Sequence, residues 1–153
     1  ADAGAVRQAF ADIHARLAAI GRADEMAGVT VQPMVPRGVE LFVGATRTPG
    51  FGPLIGFGIG GVAVELWKDV GFRVHPLTDA DARDLVDGVR AQALLDGFRG
   101  GPVADRAALR DAILRVDRLM GDLGAVVELD LNPIVTRGPG QAVIAIDARI
   151  RVA

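Results

Sequence analysis

Glu128, Asp130 and Asn132 recur at every second position of the segment Glu128-Leu129-Asp130-Leu131-Asn132-Pro133, and Asp147 follows downstream. In an extended strand, successive side chains point to opposite faces. The two carboxylates and the amide therefore share one face, with Leu129 and Leu131 on the other. Gly138-Pro139-Gly140 is a strong turn signal, and Val143-Ile144-Ala145-Ile146-Asp147 reads as the returning strand. A hairpin folded about Pro139 and Gly140 sets Asn132 opposite Asp147 and Asp130 opposite Arg149. Directly opposed residues hold their Cβ atoms about 4.5–5.5 Å apart. Three carboxylates and an amide then gather on one side of a two-stranded ribbon. Such oxygen donors suit a hard cation such as Mg2+, which usually bridges to substrate phosphates. The chemistry implied is that of a nucleotide site. The competing reading is a polar hairpin face turned to solvent, which is common in antiparallel sheets. Like charges crowded together repel, with Arg149 as an internal counter-charge.

Other residues invite weaker readings. Gly56-Phe57-Gly58-Ile59-Gly60-Gly61 contains the pattern GxGxxG. A dinucleotide fingerprint needs a helix directly after it, and here the strand-prone Val62-Ala63-Val64 follows. A loop closing over a ligand backbone and a plain tight turn both remain open. Glu65 and Lys68-Asp69 flank Trp67 and read either as phosphate contacts or as a solvated charge cluster. His75 precedes Pro76 in a loop, and His14 lies on the first helix facing solvent or a boundary. Neither has a second histidine nearby, so neither reads as a metal ligand.

The elements that must carry these groups follow from periodicity. Val6, Phe10, Ile13, Leu17 and Ile20 make one apolar helix face ending near Gly21. Residues 28–35 read as a strand stopped by Pro36, and 39–45 as another. A loop over 46–51 leads to a return strand over 53–57, with a further short strand over 62–66. Thr78 and Asp81 form a capping-box-like start to a helix whose apolar face runs Ala82, Leu85, Val86, Val89 and Ala93. After a glycine-rich connection over 95–102, Asp105 caps a helix carrying Leu109, Ile113, Val116 and Met120. The order predicts an α+β domain, an antiparallel sheet with helices packed on it.

The chain has 153 residues, half of them hydrophobic (50%), and a net charge of -2. That suffices for one domain with a real core and lacks the basic stripe of a nucleic-acid binder. It has no cysteine, which excludes disulfides and thiolate zinc sites and fits a reducing cytoplasm. No apolar run nears the roughly 20 residues of a membrane helix, and Asp2 with no apolar stretch after it argues against a signal peptide. Lys68 is the sole lysine. Phosphate-transfer enzymes commonly place a lysine on phosphate, so the chain reads as a domain cut from a longer polypeptide.

The stretches VQPMVPRGVELFVG at 31–44, FGPLIGFGIGGVAVELWKDVGFRVHPL at 51–77 and ELDLNPIV...IAIDARI at 128–150 together resemble the C-terminal part of an ATP-grasp domain. The resemblance is closest to the ADP-forming acyl-CoA synthetases of the acetate–CoA ligase type, and more distant to the succinyl-CoA synthetase β subunit. It implies a partial ATP-grasp domain over 1–153, with an N-terminal helix and linker at 1–27 and the hinge and C-terminal subdomain at 28–153. It implies ATP or ADP held through backbone atoms around Gln32 and Val35, with Glu40 near the ribose. Asn132 and Asp147 match the Mg2+ ligands, and Asp130 stands beside the metal. Glu128 falls to a supporting role. The implied activity converts acyl-CoA, ADP and phosphate to carboxylic acid, CoA and ATP through a phosphohistidine. That histidine, the CoA-binding domain and the phosphate-gripping lysine belong to parts outside this stretch, so the isolated chain is expected to be inactive. The implied partners are nucleotide and those remaining domains or subunits, without nucleic acid or membrane. The alternative is a regulatory synthetase-like module of a protein acetyltransferase.

Overall fold

A computed structural model describes residues 2–60 and 69–153. The expected strand at 62–66, with Glu65, Trp67 and Lys68, lies outside the described residues. The chain divides into two units, Ala1–Pro36 and Arg37–Ala153. None of the described helices is long and apolar enough to cross a membrane.

In the first unit, the Asp2 carboxylate accepts the Ala5 N–H at 2.8 Å and starts helix α1 (Ala3–Ala19). The helix stops before Gly21, which takes φ 71. No residue of α1 is buried. Residues 29–32 run beside it and share a groove of about 250 Å³ with Val6, Phe10 and Ile13. The strand expected over 28–35 is not formed. A strand needs a ladder partner, and none is present among the described residues of this unit. Pro33 and Pro36 also withhold N–H donors.

The second unit is an antiparallel sheet with helices on one face, as the sequence predicts. Its strands are β1 (Val39–Thr48), β2 (Gly52–Ile59), β3 (Val70–Val74), β4 (Val126–Thr136), β5 (Ile144–Ala145) and β6 (Ala148–Val152). The spatial order is β3-β2-β1-β4-β5, with β6 also on β4. β1 and β2 each run further than expected, so the loop between them shrinks to a tight turn at Pro49-Gly50-Phe51. Gly50 there takes φ 85, and the Phe51 N–H reaches the Thr48 carbonyl at 3.2 Å.

Helix α2 (Asp79–Asp87) opens on a full capping box between Thr78 and Asp81. It ends at Gly88, short of the apolar face expected through Ala93. The reason lies in Asp69, a buried carboxylate that accepts the N–H groups of Arg90 and Ala91 at 2.8 and 2.9 Å. Those donors are drawn out of any helical ladder. Val89 is buried regardless, and Ala93 falls in a separate short turn, α3 (Gln92–Leu95). Helix α4 (Arg106–Asp122) starts at Asp105, as expected.

The core forms where alternate residues of the sheet meet the two longer helices. Leu41, Val43, Ile55, Phe57 and Leu129 pack with Leu85, Val86, Leu109, Ile113 and Met120. Arg47 locks the far end of α4 to the sheet, donating to the carbonyls of Met120 at 2.6 Å and Val126 at 3.2 Å. It thereby satisfies acceptors that a helix C-terminus leaves open.

The register between β1 and β4 carries one irregularity. Leu41 pairs with Ile134 and Val43 with Leu131, so Asn132 and Pro133 together face the single residue Phe42. This two-against-one bulge flips the alternation of β4. Leu129 and Leu131 point coreward before it, Ile134 and Thr136 after it, and Thr136 is fully buried.

Candidate nucleotide and metal site

The face of the sheet opposite the helices carries the candidate chemistry. Glu40, Phe42, Gly44 and Thr46 alternate onto it from β1, and Gly44 pairs with Asp130 and Thr46 with Glu128. A hollow of about 210 Å³ on this face is lined by Phe42, Thr46, Leu54, Phe72, Glu128 and Asp130.

The glycine pattern belongs to this face rather than to a dinucleotide loop. Gly56 and Gly58 lie inside β2. A Cβ at Gly56 would meet the Phe72 ring at 2.9 Å, and one at Gly58 would run into the Asp69 carbonyl and stand 2.9 Å from the Phe42 ring. These glycines make room for two aromatic rings laid across the sheet. The Gly60 N–H donates to the Glu40 carbonyl at 3.0 Å, closing the end of β1 and β2.

The hairpin forms in the expected register. Asp130 pairs with Arg149, Leu131 with Ala148, and Ile134 with Ala145. Between those pairs the Asn132 N–H donates to the Asp147 carbonyl at 3.2 Å, and the Ile146 N–H donates to the Pro133 carbonyl at 2.9 Å. Asn132 and Asp147 are therefore backbone-bonded neighbours. They sit where β4 bulges and where the return strand bends between β5 and β6.

The expected cluster of three carboxylates does not form. Among the described residues, no three His, Cys, Asp or Glu side chains come together to hold a metal ion. Glu128 is drawn away by Arg151, directly opposite, at 2.9 Å. Arg149 stands opposite Asp130 but places its guanidinium 3.5 Å from Asp147, two residues earlier in the chain and just outside its strand. What remains is the smaller donor set of Asp130, Asn132 and Asp147. Its chemistry fits Mg2+, which binds through one or two carboxylates plus substrate phosphates rather than in an all-protein cage.

Glu40 is exposed at the start of β1. It borders a cavity of about 320 Å³ walled by Val39, Ile59, Leu94, Phe98 and Pro102. Gln32 and Val35 belong to the first unit, where Gln32 borders the groove along α1 and Val35 is half-buried. His14 is exposed on α1. His75 is held by the buried Asp117 through an Nδ1–Oδ1 contact of 2.8 Å, while the other Asp117 oxygen accepts the Leu77 N–H. Asp69, read as a phosphate contact or a solvated charge, is spent on backbone instead. Sequence reasoning missed Arg47, Asp69 and Asp117 as anchors, because their partners lie 21 to 79 residues away.

A family profile described as an ATP-grasp domain matches residues 1–152. The chain belongs to the ATP-grasp family. It is 42% identical over 127 residues to the acetate–CoA ligase [ADP-forming] II subunit beta of Pyrococcus furiosus, covering 82% of this chain and 54% of that subunit. It is 37% identical over 145 residues to the 4-hydroxybutyrate–CoA ligase [ADP-forming] of Nitrosopumilus maritimus, covering 95% of this chain and 21% of that protein. Among solved structures, the acetyl-coenzyme A synthetase 1 of Ca. Korarchaeum cryptofilum, in complex with coenzyme A and Ca-AMPCP, superposes with a TM-score of 0.82 at 40% identity. That match covers 97% of this chain and 64% of the other. The chain thus spans about half of the subunit and a fifth of the single-chain ligase. The alternative reading, a module of an acetyltransferase, is not supported by these relatives.

Proposed function

We propose that this chain is the ATP- and ADP-binding, Mg2+-binding part of an ADP-forming acyl-CoA synthetase. The observation that carries the reading is the Asn132–Asp147 backbone bond, which seats an amide and a carboxylate side by side on the sheet face that bears Asp130 and Glu40. The complex of the archaeal neighbour with coenzyme A and Mg-AMPPCP supports it. In this reading Asn132 and Asp147 hold the ion and Asp130 stands beside it. Glu40 orients the ribose, and the backbone around Gln32 and Val35 takes the base. Residues 1–27 serve as helix and linker, and 28–153 as hinge and C-terminal subdomain. The bound ion would neutralise charge on the phosphates during transfer.

The intact protein would convert acyl-CoA, ADP and phosphate to acid, CoA and ATP by way of a phosphohistidine carried elsewhere. Its partners are the CoA-binding and histidine-bearing domains or subunits, and its place is the cytoplasm, where ADP and CoA are available. Titration of the full-length protein with ADP at graded Mg2+ tests the site. Asp147→Ala and Asn132→Ala should each raise the Mg2+ needed for half-maximal ADP binding by about tenfold or more, as loss of a metal contact does. Unchanged curves for both variants would remove the metal assignment.

A further inference from the structure

We infer that Asp105 is a positioning residue of this site: it grips the hairpin at the end of the outgoing strand and at the tip of the turn, and so fixes the register that sets Asp147 beside Asn132. The inference rests on the metal reading given under Proposed function. Asp105 is the cap of α4 and only 8% exposed. One carboxylate oxygen accepts the Ala108 N–H at 2.9 Å, which is all that capping requires. The other accepts the Gly140 N–H at 2.7 Å, in the turn of the hairpin. The Asp105 N–H itself donates to the Thr136 hydroxyl at 2.9 Å, at the last residue of β4. One capping residue thus holds the end of the outgoing strand and the tip of the turn that leads to the return.

Among the described residues, the side chains that cap α1 and α2 show no such reach. Asp2 serves the Ala5 N–H of its own helix, and Thr78 serves Asp81. The hairpin has particular need of the tether. Its return ladder beside the site is the two-residue β5, followed by a bend at Ile146 and the wholly exposed β6. Ladders so short and so exposed specify register weakly, and a slip of one residue turns every side chain to the opposite face. Asp147 would then leave the face that carries Asp130. The clamp at Thr136 and Gly140 supplies the constraint that the ladder lacks.

The test uses the full-length protein, Mg2+ and ADP, with calorimetric binding and thermal unfolding read side by side. Asp105→Asn keeps a good helix cap but turns an amide N–H2 toward the Gly140 N–H. Asp105→Ser keeps a cap and is too short to reach Gly140. Both should raise the Mg2+ concentration for half-maximal ADP binding about tenfold, with ADP affinity in the absence of metal unchanged within twofold. Thr78→Ala, a cap lost on α2, should lower the melting temperature without moving the Mg2+ dependence. Asp105 variants that behave like Thr78→Ala would overturn the inference. Thr136→Val removes the second grip at constant shape. It carries the test if the Asp105 variants do not fold, and an unshifted Mg2+ curve there is equally fatal. Asp147→Ala separates the two readings. If it shifts the curve and the Asp105 variants do not, only the role of Asp105 falls; if it does not shift the curve, both fall.

Discussion

Asp147 meets an arginine before it meets any ligand. The Arg149 guanidinium lies 3.5 Å away, and both side chains are well exposed. An exposed pair of this kind is worth about 0–1 kcal/mol. Arg149→Ala should therefore tighten Mg2+ by no more than about fivefold and leave stability unchanged within about 0.5 kcal/mol, measured by titration and urea unfolding. The alternation of Glu128, Asp130 and Asn132 was legible in the chain, as was the pairing of Asn132 with Asp147. The loss of Glu128 to Arg151 was not, because register names the neighbour while side-chain reach chooses the partner. The glycines illustrate the same limit. Gly44 and Gly58 look alike in sequence, yet a Cβ at Gly44 finds its nearest neighbour at 3.7 Å while one at Gly58 collides with the Asp69 carbonyl. Gly44→Ala should be close to neutral, and Gly58→Ala should cost about 2 kcal/mol by overpacking, read from denaturant midpoints.

At the scale of elements, the starts were easier to read than the stops. Thr78 and Asp105 announce their helices through local chemistry, since a cap and its donors lie three residues apart. The end of α2 depends on Asp69, about twenty residues upstream, and no local pattern shows it. The strand expected over 28–35 failed for a related reason: β propensity proposes a strand, but only a partner makes one. Acid titration checks the account of Asp105. The Ala108 N–H holds its carboxyl below the ordinary carboxylate range, with a smaller contribution from Gly140, against the opposing effect of burial. A carboxyl lowered by folding stabilises the fold above its unfolded value and loses that contribution as pH falls through its folded value. The contribution of Asp105 should fade below about pH 4. Asp105→Asn should show a shallower fall of melting temperature over that range in scanning calorimetry.

For the molecule as a whole, the buried cluster lies entirely within Arg37–Ala153, while α1 buries nothing. A fragment spanning 37–153 should therefore unfold cooperatively, with a denaturant midpoint close to that of the 153-residue chain. Ile113→Ala, inside that core, should cost about 2–5 kcal/mol in the same experiment. The antiparallel α+β plan was legible because strand and helix periods alternate cleanly along this region. The bulge at Asn132 and Pro133 was not, since a break in alternation resembles the end of a strand. The double grip of Asp105 sets the smallest portable form of this site. Residues 126–152 look like a self-contained module that could be moved to another scaffold. Transplanted without the first turn of α4, that hairpin would keep Asp130, Asn132 and Asp147 and lose the fastening that aims them.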